Sequence, residues 1–133
     1  MRTPRGAMVD LASFRGKVVL LSFFATWCFP CMVEVPHLQA MQADYAPRGF
    51  SVVAIGMDLE GRKVLAPFEA TLETPYPVLV ADDEVREGRS PFGPIRALPT
   101  TWIIDRSGTV VAAFEGPADP RMLRNVIEAL LRR

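Results

Sequence analysis

Only two cysteines and one histidine occur in the 133 residues of the chain. A disulfide framework of the kind that staples small secreted domains needs more cysteines, spread further apart. A structural zinc site needs four ligands, and beyond its two cysteines the chain offers a single histidine. Charge of one sign is also missing, since 15 Lys and Arg balance 15 Asp and Glu for a formal net charge of zero. That excludes the basic surplus that a nucleic-acid partner calls for. Long apolar runs are absent too. The best, Val18 to Ala25, is less than half of the roughly 18 residues that a membrane-spanning helix requires. No internal repeat and no low-complexity segment is visible. Met1 to Gly6 carries two arginines and a proline with no apolar stretch behind them, which does not read as a signal peptide. The expectation is a protein that stays in the cytoplasm or one whose export segment is absent from this chain.

What is present reads as one globular domain. Half the residues are hydrophobic and 23% are charged, an ordinary soluble composition. A chain of this length buries roughly two thirds of its unfolded surface, so residues 1–133 are expected to form a single domain without a metal or disulfide staple. Val18 to Phe24 is nearly all apolar, the signature of a strand covered on both faces. Ala25 to Cys31 is a loop entering a helix, with Pro30 in the first turn, where a missing N–H is no loss. Val35, Leu38, Met41 and Tyr45 continue that helix, Pro36 is expected to kink it, and Pro47 to Gly49 closes it.

Phe50 to Met57 reads as a second buried strand, Arg62 to Leu72 as a helix and Tyr76 to Val80 as a short strand. Asp82 to Arg96 is rich in charge, Gly and Pro, and reads as a solvated irregular loop with at most a short helix. Thr100 to Ile104, a turn at Asp105–Gly108 and Thr109 to Phe114 form a hairpin. Asp119 or Pro120 opens a last helix with Met122, Leu123, Val126, Ile127 and Leu130 on its apolar face. This alternation implies an α/β fold, a parallel sheet with helices on both sides and an antiparallel terminal edge.

The two cysteines, Cys28 and Cys31, sit where a strand runs into a helix. The nucleophile of disulfide exchange is the thiolate, so a reactive cysteine needs something that favours negative charge. A helix start supplies it through free N–H groups and the helix dipole. Cys28 at that start is read as the attacking nucleophile. Cys31, one turn on, is read as the resolving thiol that breaks the mixed disulfide. Two inert cysteines or half a metal site are the bland alternatives.

At this point the residues resemble a known family. Trp27-Cys28-Phe29-Pro30-Cys31 is similar to the active site of thioredoxin-like proteins. Pro36 matches that family's active-site-helix proline, Leu98-Pro99-Thr100 its cis-proline segment, and Gly108 and Gly116 its hairpin glycines. Within the family, the run from Gly16 to Leu20, Phe24 to Cys28, Glu34, Pro99 to Thr101 and Ile104 to Gly108 resemble the exported TlpA/ResA-like thioredoxins, as does the long insert between the second and third strands.

The resemblance implies a thioredoxin fold, a central mixed sheet flanked by helices on both faces. It implies a protein-disulfide reductase that needs no cofactor beyond the redox-active Cys28–Cys31 disulfide and holds no metal. Its partners would be protein dithiol or disulfide substrates and an upstream thiol–disulfide electron donor, with apocytochrome cysteines among the targets. The protein would act as a monomer in the periplasm or another extracytoplasmic space, anchored in its full-length form. That group begins with a hairpin, and Met1 to Arg15 would be either partly disordered or a remnant of it, with Met8 to Phe14 standing for its second strand.

The same resemblance gives roles to further residues. Pro99 is expected to be cis and, with Leu98, to face the disulfide and leave backbone free to pair with an extended substrate. Glu34 would exchange the Cys31 proton, its pKa raised by burial. It takes the part of the buried Asp of ordinary thioredoxins, whose place Ser22 fills. Trp27 would cover the site and contact partners, while the uncharged Phe29 and Pro30 tune the potential toward reduction. His37 reads as a helix boundary residue, and Arg89, Arg96, Asp82 and Asp83 as a solvated loop. Three competing activities share the scaffold. An oxidant or isomerase would use the same residues. A peroxidase needs Thr three before its cysteine, where Ala25 stands. A copper-binding assembly factor needs a wider cysteine spacing and a distant His.

Overall fold

A computed structural model describes all residues from Met1 to Arg133. Strands β1 (Val18–Phe24), β2 (Phe50–Gly56), β3 (Val78–Val80), β4 (Thr100–Ile104) and β5 (Val110–Glu115) form one sheet in the order β3-β2-β1-β4-β5. β1, β2 and β3 run parallel, and β4 and β5 add an antiparallel edge. The register pairs Val18 with Phe50 and Phe24 with Gly56, so β1 and β2 are in step along their whole length. Every residue of both strands is buried, which is why each reads as an unbroken apolar run instead of an alternating one. The sequence thus places the strands to within a residue or two, as it does α1 (Phe29–Tyr45), α2 (Arg62–Leu72) and α4 (Pro120–Leu131).

Alternation along β1 sorts its side chains between two cores. Val18, Leu20 and Phe24 join the larger cluster with Leu38 and Met41 of α1, Leu65 of α2 and Leu123 and Ile127 of α4. Val19, Leu21 and Phe23 join a smaller cluster with Val53, Ile55 and Leu79. The long helices α1, α2 and α4 therefore share one face. Gly56 allows α2 its close approach, because a Cβ there would lie 2.4 Å from the Leu65 side chain.

The second face carries the one-turn helix α3 (Asp83–Arg86), a single 3-10 turn at Leu11–Phe14, the loop before β4 and, through Met1 and Val9, the N-terminal segment. Phe23, Phe92 and Trp102 meet edge-to-face there, with ring centroids 5.3 to 5.6 Å apart. A cavity of about 340 Å³ opens beside them, between the 3-10 turn and the strands, with Leu21, Ile104 and Val110 in its wall. The Asp82–Arg96 loop departs from the wholly solvated reading, since Phe92 and Ile95 pack onto this face. Asp82, Asp83, Arg89 and Arg96 do face water, Arg89 pairing with Glu87 at the surface, while Arg86 is half-buried and donates to the Ala81 carbonyl.

Residues before β1 are tied to the sheet. Arg2 pairs with both Met8 and Val80, which covers the outer edge of β3. Met8 to Phe14 does not continue as a strand, because the Asp10 carboxylate accepts the Ala12 N–H and turns the chain into the 3-10 turn. At the end of the sheet remote from the cysteines, Arg106 donates to the carbonyls of Gly16 (3.0 Å) and Arg48 (3.2 Å), joining three loops. The hairpin turn that contains Arg106 is set by Asp105, which accepts N–H bonds from Ser107 and Thr109, and by Gly108 at φ +89°.

Candidate active site

The parallel strands end at the same edge, and the chemistry gathers there. β1 delivers Ala25 into a tight turn closed by the Cys28 N–H donating to the Ala25 carbonyl at 3.1 Å. Cys28 is the N-cap of α1, with extended backbone (φ −86°, ψ 106°), and its Sγ accepts the Cys31 N–H at 3.3 Å. Phe29 and Pro30 occupy the first helical turn, where the proline's missing donor is harmless. Cys28 and Cys31 are joined as a disulfide with Cα atoms 5.2 Å apart. Both belong to the larger core. The same N–H that caps the helix is in place to stabilise a thiolate on Cys28.

Around the buried sulfurs the surface is apolar. Trp27 is 72% exposed and Phe29 77%, and Pro30 is exposed as well. The Leu98–Pro99 peptide is cis. Pro99 is buried, and its carbonyl accepts the Gly116 N–H at 2.8 Å. Because Thr100 pairs with Phe23 in the antiparallel register of β4 on β1, Pro99 falls at the edge of the sheet where Ala25 begins the cysteine turn. Leu98 is half-buried and packs against both cores.

Glu34 lies one turn beyond Cys31 on α1. Only 8% of it is exposed and no protein group hydrogen-bonds its carboxyl. Burial pushes its pKa from 4.5 to about 7. Such a carboxyl holds and releases a proton near neutral pH. Behind Cys31 a water-sized cavity of about 10 Å³ is lined by Ser22, Tyr76 and apolar side chains. Burial pushes Tyr76 up to about 12, so its hydroxyl keeps its proton.

One residue of the site has no signal in the sequence. Asp58, just past β2, is 1% exposed. Its two carboxylate oxygens each accept the Thr26 N–H at 3.1 Å, and one also accepts the Thr26 hydroxyl at 2.6 Å. An aspartate after a buried strand has no spacing rule to announce it. Its partner lies 32 residues earlier. That bond also bears on the peroxidase alternative: Ala25 is buried at the position that needs a threonine, and the hydroxyl of Thr26 is committed to Asp58. His37 is exposed on α1, and no group of three or more His, Cys, Asp or Glu side chains stands close enough to hold a metal ion. No helix is long and apolar enough to cross a membrane.

Comparison with known proteins places this geometry. The AhpC/TSA family pattern matches residues 1–113. The thiol-disulfide oxidoreductase ResA of Bacillus thuringiensis subsp. konkukian is 29% identical over 125 residues, which span 94% of this chain and 70% of that protein. The thioredoxin-like protein YneN of Bacillus subtilis is 31% identical over 112 residues, 83% of this chain and 63% of that one. Among solved structures, a thiol:disulfide interchange protein of the thioredoxin family from Chlorobium tepidum TLS superposes with a TM-score of 0.83 at 33% identity, covering 98% of this chain and 91% of that one.

Proposed function

The chain belongs to the AhpC/TSA family and is a thiol–disulfide oxidoreductase of the thioredoxin fold, and from that premise we propose that it reduces disulfides of extracytoplasmic proteins through Cys28 and Cys31. The observation that carries the reading is the Cys31 N–H held on Cys28 Sγ at the start of α1, beside two exposed aromatic side chains. In the reduced enzyme the Cys28 thiolate attacks one sulfur of a target disulfide. The other target sulfur leaves as a thiolate, and a mixed disulfide remains. Cys31 then gives its proton to Glu34 and attacks Cys28 Sγ. The target departs reduced, and the enzyme is left with the Cys28–Cys31 disulfide. An upstream dithiol partner returns the electron pair. No other cofactor takes part in this cycle.

Trp27, Phe29 and Pro30 are the contact surface for the target in this reading. The cis Leu98–Pro99 segment lines the other side, where an extended backbone pairs with it. Residues 1–133 work as one domain and as a monomer. Cysteines of apocytochromes awaiting haem are the targets we favour, on the strength of the resemblance to ResA-like proteins.

Equilibration with defined dithiol/disulfide buffers, followed by Trp27 fluorescence, tests the direction. A midpoint near or below about −250 mV is expected for a reductase, and one above about −180 mV would make the protein an oxidant or isomerase instead.

A further inference from the structure

We propose that Asp58 is a positioning residue for disulfide exchange, one that fixes the turn carrying Cys28. This inference rests on the reading of Cys28 as the nucleophile.

The turn Thr26-Trp27-Cys28 leaves β1 and must aim one sulfur at the first free N–H groups of α1. Backbone bonds hold its two ends. Met57 donates to the Phe24 carbonyl at 2.7 Å, and Cys28 donates to the Ala25 carbonyl at 3.1 Å. Between them, Thr26 offers an N–H and a hydroxyl that no backbone group accepts. The Asp58 carboxylate takes both, and it is the one side chain from outside α1 that hydrogen-bonds this turn. A carboxylate has acceptors only, so it suits a site that presents only donors. Bonds to an ionised acceptor are the strong kind, and here the carboxylate that accepts them is itself buried, 1% exposed. The Cys28 Sγ to Cys31 N–H contact of 3.3 Å depends on where this turn places Cys28. Without Asp58 the Thr26 donors lose their partner, and the turn is free to carry Cys28 away from the helix start.

Asp58 also brings negative charge near Cys28, which by itself disfavours the thiolate. Geometry and charge therefore act in opposite directions, and the test must separate them. Asp58→Asn and Asp58→Ala both remove the charge. Only Asn keeps the contact, its Oδ1 accepting the Thr26 N–H and its amide donating to the Thr26 hydroxyl.

The reduced full chain is labelled with iodoacetamide at pH 7. The rate is read at each cysteine by peptide mass, with the melting temperature taken alongside. Asp58→Ala is expected to label at Cys28 about tenfold more slowly than Asp58→Asn, while Asp58→Asn labels at least as fast as the parent. Equal rates for the two variants overturn the proposal. If Asp58→Ala does not fold, Thr26→Val decides, because it deletes only the hydroxyl bond. About threefold slower labelling at the parental melting temperature supports the proposal, and the parental rate overturns it. Labelling of the parent at Cys31 instead of Cys28 would overturn the reading of the site itself.

Discussion

One face of the sheet is closed by helices of 17, 11 and 12 residues over a cluster of 20 buried residues. The other is closed by a four-residue helix, one 3-10 turn, a loop and the N-terminal segment over a cluster of eight. Both cysteines belong to the first cluster. The difference follows from what each face must do. Exchange at Cys28 requires a helix start that does not move relative to β1, and close packing under α1 supplies that rigidity. The second face has only to keep water off the strands, which an irregular cover does at lower density. Truncation should reveal the asymmetry most strongly. Ile127→Ala, at a fully buried site on the helical face, is expected to cost about 2–5 kcal/mol. Phe92→Ala should cost less than half of that, because the half-buried ring borders an open cavity that needs little further collapse. Urea unfolding of the two variants measures the ratio, and equal losses would mean that the faces are equally well packed.

The helical face also holds the one carboxyl whose burial moves it into the neutral range. Glu34 is raised from 4.5 to about 7 in the folded chain, so the native state binds its proton more tightly than the unfolded state does. Its neutral form therefore contributes stability that is fully present below about pH 4.5 and is lost as pH rises through 7. Glu34→Gln removes this dependence. The variant should match the parent at pH 4 and exceed it by about 1–3 kcal/mol at pH 8, read from urea midpoints of the oxidised protein. The same change should slow turnover about 100-fold if Glu34 takes the Cys31 proton. A stability gain with unchanged turnover would leave Glu34 a buried acid without a part in the chemistry.

The two faces were not equally legible in the sequence, and the reason is periodicity. Val35, Leu38, Met41 and Tyr45 recur at helical spacing because α1 presents one stripe to the core. The unbroken run from Val18 to Phe24 marks a strand buried on both sides. The cysteine turn could be read because its parts lie within a few residues of one another. On the second face Phe92 and Ile95 sit among Gly88, Pro91, Gly93 and Pro94, where no period exists, and charge on either side made the segment look wholly solvated. Met8 to Phe14 has no strand period of its own; only the family resemblance suggested a strand there, and the Asp10 side chain turns it. Asp58 shows the same limit within the site. The residue is local to β2 but its partner Thr26 is not, and only the parallel register of β1 on β2 brings them together.

The smallest expected effect tests whether the thin face can be improved without touching the chemistry. Ala12 lies in the 3-10 turn and lines the cavity of about 340 Å³ together with Leu11, Val19 and Leu21. Ala12→Leu adds apolar area toward that space without disturbing the backbone N–H that donates to Asp10. A gain of about 0.5–1 kcal/mol is expected, the usual return for filling a cavity at a site with room. Labelling at Cys28 should stay within about twofold of the parent, since the added side chain meets only the second face. A changed rate would carry more information than the gain itself. Val19 and Leu21 line the cavity while Val18 and Leu20, their neighbours along β1, lie in the core beneath the cysteines. β1 runs from the cavity wall to the cysteine turn and, like β2 beside it, sends side chains into both clusters, so an altered Cys28 would show that the two faces are coupled through the sheet.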